Sequence, residues 1–407
     1  MKRLITLVLA AAMLMTCVSA FADGTAKFWE DGKLGNPELA EKILTAWNEA
    51  TGMTIEMSDY TDTASYQTAV SQSIDSDSAP DFFTWWSGEQ LGSLVASNKI
   101  MELDDLWETI IGMGVAPDVK NAFTYDGHAY AVPYSLLYNV CLYNVDAFAK
   151  AGITEMPATF DEFLADCQKM VDAGITPIGI KNDSWASFIW FQAIVAAYDP
   201  DLYQGICDGS IAYTDDKMVE VMAVWQDMLD KGYFADPVYY ADNFKRFALG
   251  EVAIMIEPQT AVPDMGRDYG MEPEVNISAF VLPSMNGAKP AVFFEAAPMA
   301  VPAKVADPAN AKAALAGYYT TEVQNVTAAE EGIILVAGVE STNATISKIT
   351  ALANDPANTS MLRFYENTPS ALRDVALDEL SKFMYGEQDA ASCLANIQVK
   401  ADETFAK

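Results

Sequence analysis

Stretches with helical spacing alternate with short strand-like runs along this chain, and that alternation does most to limit the folds open to it. Asn36-Pro37 reads as a helix N-cap and a first-turn proline, with Leu39, Ile43, Trp47 and Ala50 on one face and Gly52 as the stop. Thr54 to Met57 then alternates as a strand, and Ser65 to Ile74 returns to helical spacing. Pro80 to Trp86 reads as a buried strand running into a loop, and Leu91, Leu94 and Val95 open another helix. A βαβαβα order implies a parallel sheet with its ligand crevice at the carboxyl ends of the strands.

A second α/β region begins near Val132. It has strands at 139–144, 176–180 and 252–256 and helices at 160–173, 188–197 and 218–231. A chain of 407 residues with 51% hydrophobic content suits two lobes better than one core. No Pro/Gly/Ser-rich tether separates them, so strands are expected to cross directly from lobe to lobe. Tyr134 to Asn139 and Val292 to Pro298 are the candidate crossings, and together they would form a hinge.

The first residues read as an export signal: Met1-Lys2-Arg3, an apolar run from Leu4 to Met15, then Ala20-Phe21-Ala22. Cleavage after Ala22 is preferred over acylation at Cys17, where Thr16 fits a lipoprotein box poorly. Either way the protein is expected outside the cytoplasm, in the periplasm or at the outer face of the membrane. Four other cysteines, Cys141, Cys167, Cys207 and Cys393, are widely spaced with no C-x-x-C pair. They suggest neither zinc nor redox chemistry, and isolated packing or one bridge both fit. The 57 acidic and 24 basic residues give a formal charge of −33, which excludes nucleic acid as a partner. The one histidine, His128, follows the hairpin dipeptide Asp126-Gly127 and reads as a turn-flanking surface residue. Asp75-Ser76-Asp77-Ser78 begins like a calcium loop but lacks its central glycine and terminal glutamate, so no metal and no cofactor is expected.

Several phrases, in order along the chain, carry a family resemblance. They are Pro80-Asp81-Phe82-Phe83-Thr84-Trp85-Trp86, Tyr125 to Tyr134 running on to Leu142-Tyr143-Asn144-Val145-Asp146, Pro157 to Phe163, Gly174 to Ile178, Lys231 to Phe234, and Phe247 to Met255. Over residues 28 to 400 the chain resembles the sugar-binding extracellular solute-binding proteins of ABC importers, the maltose-binding-protein-like family 1. The resemblance implies a class II periplasmic-binding-protein-like α/β fold, with discontinuous lobes around a ligand cleft and a hinge. The lobes would comprise residues 23–135 with 297–340, and 136–296 with 341–407. It also implies a carbohydrate ligand, membrane permease subunits as partner, and a monomer that closes over its ligand.

A sugar ring offers a weakly apolar face and a rim of hydroxyls, so its binder needs aromatic walls and fixed polar groups. At least one of Trp85 and Trp86, at a strand end, is expected to face the ligand. Trp185 and neighbouring Asp183 could close from the second lobe, although Trp190 and Phe191 compete for the core there. Trp47 and Trp225, at helical core spacing, read as packing. Glu30 and Asp31, in the family's first cleft loop, are hydroxyl acceptors or solvated surface. Tyr134 and Tyr138 would line the cleft floor. Glu295, set between phenylalanines, is costly to bury unless paired. Arg363 and Tyr365 approach from the carboxy-terminal segment. Relatives carry a glycine and an aromatic after the strand that here ends near Ile256; Glu257-Pro258-Gln259-Thr260 replaces them, so Glu257 and Gln259 would hydrogen-bond where a ring would stack.

The competing function is an exported glycoside hydrolase or lyase, which would need paired carboxylates that 57 acids supply too freely to identify. A surface adhesin would favour repeats, and none is visible.

Overall fold

The computed structural model describes residues 24–32, 36–60, 62–183 and 186–406; the leader, Cys17 and Trp185 lie outside them. Its strands are β1 (Thr25–Glu30), β2 (Thr54–Asp59), β3 (Phe82–Thr84), β4 (Thr124–Tyr125), β5 (His128–Ala129), β6 (Ala131–Asn144), β7 (Thr176–Ile178), β8 (Val252–Pro258), β9 (Ile277–Phe280), β10 (Ala291–Ala300) and β11 (Thr359–Leu362). Nine of them, among the described residues, join one sheet in the order β2-β1-β3-β10-β6-β8-β7, with β11 added to β10 and β9 to β6. The β4–β5 hairpin turns on Asp126 and Gly127, at φ 50° and 87°. Positive φ at both central residues is what a two-residue hairpin needs, and Asp-Gly supplies it at low cost.

The expected helices form with small shifts in their bounds. Helix Pro37–Thr51 is capped by Asn36, whose side chain accepts from the N–H groups of Glu38 and Leu39, and ends at Gly52 with φ 69°. Its inward face carries Ile43 and Trp47, and the Trp47 indole donates to the Ala314 carbonyl at 2.7 Å. Trp47 and Trp225 are both buried, as their spacing suggested.

Two long strands run through the middle. β6 and β10 pair antiparallel from Phe293 opposite Asn139 to Ala300 opposite Ala131. At one end β10 pairs with β3 and at the other with β11, while the far end of β6 pairs with β8 and β9. These strands therefore belong to both halves of the sheet, as the hinge expectation required. Hydrophobic packing divides on either side of them. One core draws on residues 26–134 and 296–339, and two others draw on 140–293 and 346–401.

The register slips between Ala297 and Pro298: Ser135 faces Ala297, Pro133 faces Pro298, and Tyr134 has no opposite residue. Neither proline can donate to a ladder, so the pairing is weakest at this point and accepts a bulge. The bulge re-aims Tyr134 into the first core, against Tyr318 at 5.5 Å between ring centroids. Tyr134 is therefore not part of the cleft floor.

Gln259 holds the neighbouring stretch of β6. β8 ends at Pro258, which pairs with Asn139, and the Gln259 side chain takes over from there. Its Oε1 accepts from the Tyr138 N–H at 2.5 Å and its Nε2 donates to the Leu136 carbonyl at 2.8 Å. A side-chain amide thus replaces one peptide group of the ladder, and Gln259 is tied up in the crossing strand instead of facing a ligand. All four cysteines of the described chain are buried and unbridged, and burial pushes the Cys207 and Cys393 thiols up to about 12.

Two predictions follow from this packing. Gln259→Leu strands an N–H and a C=O of β6, and should cost about 2 to 4 kcal/mol in chemical denaturation; an unchanged midpoint would contradict the ladder role. Glu331 is 8% exposed, and burial, with like charge from Asp264 and Glu330, pushes its carboxyl up to about 8. The folded chain then holds a proton that the unfolded chain releases near pH 4.5. Wild type should lose stability relative to Glu331→Gln as pH rises from about 4.5 through about 8, by up to about 1.4 kcal/mol per pH unit. Parallel curves for the two proteins would refute this.

Candidate ligand cleft

A cleft of about 1010 Å³ opens between the two halves, above the crossing strands. Its walls come from strand carboxyl ends, as the alternation predicted. β1 leads into Asp31 and β3 into Trp86 on one side; β7 leads into Lys181 and Asp183, and β8 carries Glu257 and Pro258 at its end, on the other.

Two buried ion pairs sit in this cleft, and strand register explains both. β7 and β8 are parallel with Ile178 beside Ile254, so three residues further on Lys181 falls beside Glu257. Their Nζ and Oε2 are 2.9 Å apart, at 4% and 3% side-chain exposure. Burial pushes the Glu257 carboxyl above its usual range, against the opposing pull of Lys181. β10 and β11 are also parallel, with Phe294 beside Leu362, and the next residues are Glu295 and Arg363. Arg363 Nη2 lies 2.7 Å from Glu295 Oε2 and 2.6 Å from Glu366 Oε1. The cost of burying Glu295 between phenylalanines is met by this guanidinium, and the two carboxylates hold Arg363 protonated against its own burial.

The tryptophan pair is buried as a unit in the first core. Trp85 continues β3, its N–H donating to the Pro298 carbonyl at 3.0 Å, and its ring turns into the first core. The next residue, Trp86, packs into the same core, its ring 5.2 Å from that of Trp85 and 6.0 Å from that of Tyr66, and it alone of the two also lines the cleft. Tyr365 lines the opposite wall beside Phe188 at 5.9 Å, and the Arg373 guanidinium lies 4.1 Å over the Tyr365 ring.

Of the other acids, Asp31 lines the cleft and accepts from the Thr84 hydroxyl at 3.0 Å. Glu30 is fully buried below it and accepts from the Gly32 N–H at 2.8 Å, so it shapes the loop and is not a lining residue. Asp183 lines the cleft, and its Oδ2 is closed to solvent with no hydrogen-bond partner among the described residues. Tyr138 is half-buried and does not line the cleft; its ring packs against the core beside β8.

Sequence reasoning missed Lys181, Asn139 and Phe188. Lys181 stood two residues before Asp183, and the β7–β8 register would have found it. Asn139 lies at the end of the proposed crossing, 7% exposed, with its Nδ2 unpartnered in the cleft. Away from the cleft, Glu102, Asp104 and His128 bring possible ligand atoms within 4.8 Å of one another. Lys120 already meets Asp104 there at 2.7 Å and His128 Nδ1 meets it at 2.8 Å, so the cluster is an exposed set of ion pairs.

Comparison with known proteins gives this geometry a lineage. The chain is 27% identical over 124 residues to the diacetylchitobiose-binding protein DasA of Streptomyces coelicolor, covering 30% of this chain and 29% of that protein. It is 26% identical over 294 residues to the sn-glycerol-3-phosphate-binding periplasmic protein UgpB of Brucella abortus, covering 66% of each. The chain thus spans under two thirds of the length of these curated relatives. A solved chitin oligosaccharide binding protein superposes with a TM-score of 0.82 at 20% identity, covering 95% of this chain and all of that one, and shares its two-lobed class II fold. The profile of the bacterial extracellular solute-binding proteins matches residues 42–380, and the chain belongs to that family.

Proposed function

We propose that this protein is an exported receptor that captures a carbohydrate, an oligosaccharide in particular, by closing its two lobes over it, and hands it unaltered to the permease of an ABC importer. The observation that carries the reading is the inter-lobe cleft. At about 1010 Å³ it lies at the top of the roughly 300–1,000 Å³ range of small-molecule sites. It combines aromatic surface from both walls, Trp86 on one and Phe188 and Tyr365 on the other, with fixed polar groups between them. Flat rings suit the C–H faces of pyranoses, and fixed polar groups read the hydroxyls.

The lobes in this reading comprise residues 23–135 with 297–340, and 136–296 with 341–407, a division supported by where the cores part. Trp86, Asp31, Asp183, Glu257, Glu295, Arg363 and Tyr365 form the ligand set, with Asn139 and Lys181 added to it. Trp185 stays a candidate from its sequence position alone. The receptor acts as a monomer, after cleavage behind Ala22, and performs no chemistry on its ligand. Among the described residues no helix is long and apolar enough to cross a membrane, in keeping with a permease supplied by other subunits. Closure requires only that the ligand favour the closed state over the open one.

Thermal-shift screening across α- and β-linked mono- to tetrasaccharides tests the proposal. A binder raises the melting temperature and returns the sugar uncut; cleavage products, or silence across the panel, would overturn it. Asn139→Ala removes an unpartnered amide, so it should leave the melting temperature of the free protein nearly unchanged while weakening the active saccharide about tenfold by calorimetry. Equal affinity would remove Asn139 from the ligand set.

A further inference from the structure

The charge around the cleft is lopsided. Among the described residues two cations line it, and each is committed: Lys181 to Glu257, and Arg363 to Glu295 and Glu366. Two more stand just behind: Lys382 pairs with Asp378, and Arg373 pairs with Asp374 while its buried Nη1 has no partner among the described residues. Asp62 adds a carboxylate from the first lobe and Asp183 adds one from the second. An incoming phosphate or carboxylate would meet this field in a cleft whose low-dielectric walls concentrate it. To be received by Lys181 or Arg363 it would have to break a pair and leave a buried carboxylate uncompensated.

Among the described residues that line the cleft, two polar groups have no partner. Asp183 Oδ2 is sealed from solvent without a donor, and a buried acceptor left so is costly until something donates to it. Asn139, more than nine-tenths buried on the crossing strand, lines the same cleft, and its Nδ2 has no partner among the described residues. The Asn139 amide suits a hydroxyl or carbonyl oxygen on a neutral part of the ligand. The Asp183 carboxylate suits a hydroxyl, and an ammonium better, because charge-assisted hydrogen bonds are the stronger kind.

We infer that the cleft sorts glycans by charge: it accepts neutral ones and, more tightly, those bearing an ammonium group, turns away phosphorylated and carboxylated ones, and uses Asp183 to meet the ligand's positive group. This inference rests on the carbohydrate reading above and narrows it.

The test takes the neutral saccharide with the largest thermal shift in the panel and measures it by calorimetry beside its glucosamine and its 6-phosphate or uronate counterparts. The glucosamine form should bind at least as tightly as the neutral one, and its affinity alone should fall as ionic strength rises. The anionic forms should bind about tenfold more weakly or not at all, as expected for unit charges of like sign a few ångströms apart. Asp183→Asn should cost the glucosamine form about tenfold more than the neutral form. Should that variant misfold, the ionic-strength series on the wild-type protein carries the same test. An anionic glycan that binds as well as the neutral one, or amino-sugar affinity indifferent to salt, overturns the charge rule and leaves the carbohydrate reading standing. Silence from every saccharide overturns both.

Discussion

The antiparallel pairing of β6 with β10 is the constraint on which the remaining structure depends. One sheet serves both lobes because these two strands are long enough to carry neighbours at each end: β3 against one end of β10, β11 against the other, and β8 and β9 against the far end of β6. The hydrophobic cores part where these strands pass between lobes. Backbone hydrogen bonds run across the gap while the buried cores stay separate, with Tyr365 packed against both, and a paired ribbon bends and twists more readily than a packed core deforms. The bulge at Tyr134 and the Pro133–Pro298 pairing lie in this segment. Gln259 holds the neighbouring stretch, where the ladder has lost a strand partner.

Register also places the charges. In parallel strands, residues at matching positions emerge side by side at the carboxyl end, where the crevice of an α/β sheet lies. Lys181 and Glu257 are one such pair, and Glu295 and Arg363 another. Burying ions in pairs fixes the cleft's polar groups before a ligand arrives, so less ordering remains to be done on binding. It also occupies the two cations that line the cleft among the described residues, beside which Asp62 and Asp183 add carboxylates. The sheet's geometry and the ligand's expected chemistry are in this sense one argument.

Much of this architecture was legible in the residues. Hydrophobic periodicity marked the helices, Asp126-Gly127 marked the hairpin, and the lack of a flexible tether pointed to direct strand crossings. The ordered phrases from Pro80 to Met255 carried the family. Within the cleft, Glu295 stood out because an acid between phenylalanines needs a partner, and Arg363 is that partner. What could not be read was orientation. Trp85 and Trp86 differ by one residue and are both buried in the first core, and only the folded chain shows that Trp86 is the one that also reaches the cleft. Tyr134 was misplaced because a one-residue bulge reverses which face a side chain takes. Gln259 looked like a ligand group because its true partners, the backbone groups of residues 136 and 138, lie more than 100 positions away. Lys181 and Asn139 were passed over because pairing register, which brings them to the cleft, is a long-range property of the sheet.

The central claim is that two lobes joined by a paired ribbon close upon a saccharide. Small-angle X-ray scattering, on the free protein and on the protein saturated with the sugar that most raises its melting temperature, measures this most directly. The account predicts a smaller radius of gyration and a shorter maximum dimension with sugar bound. Identical scattering curves at proven saturation would contradict it.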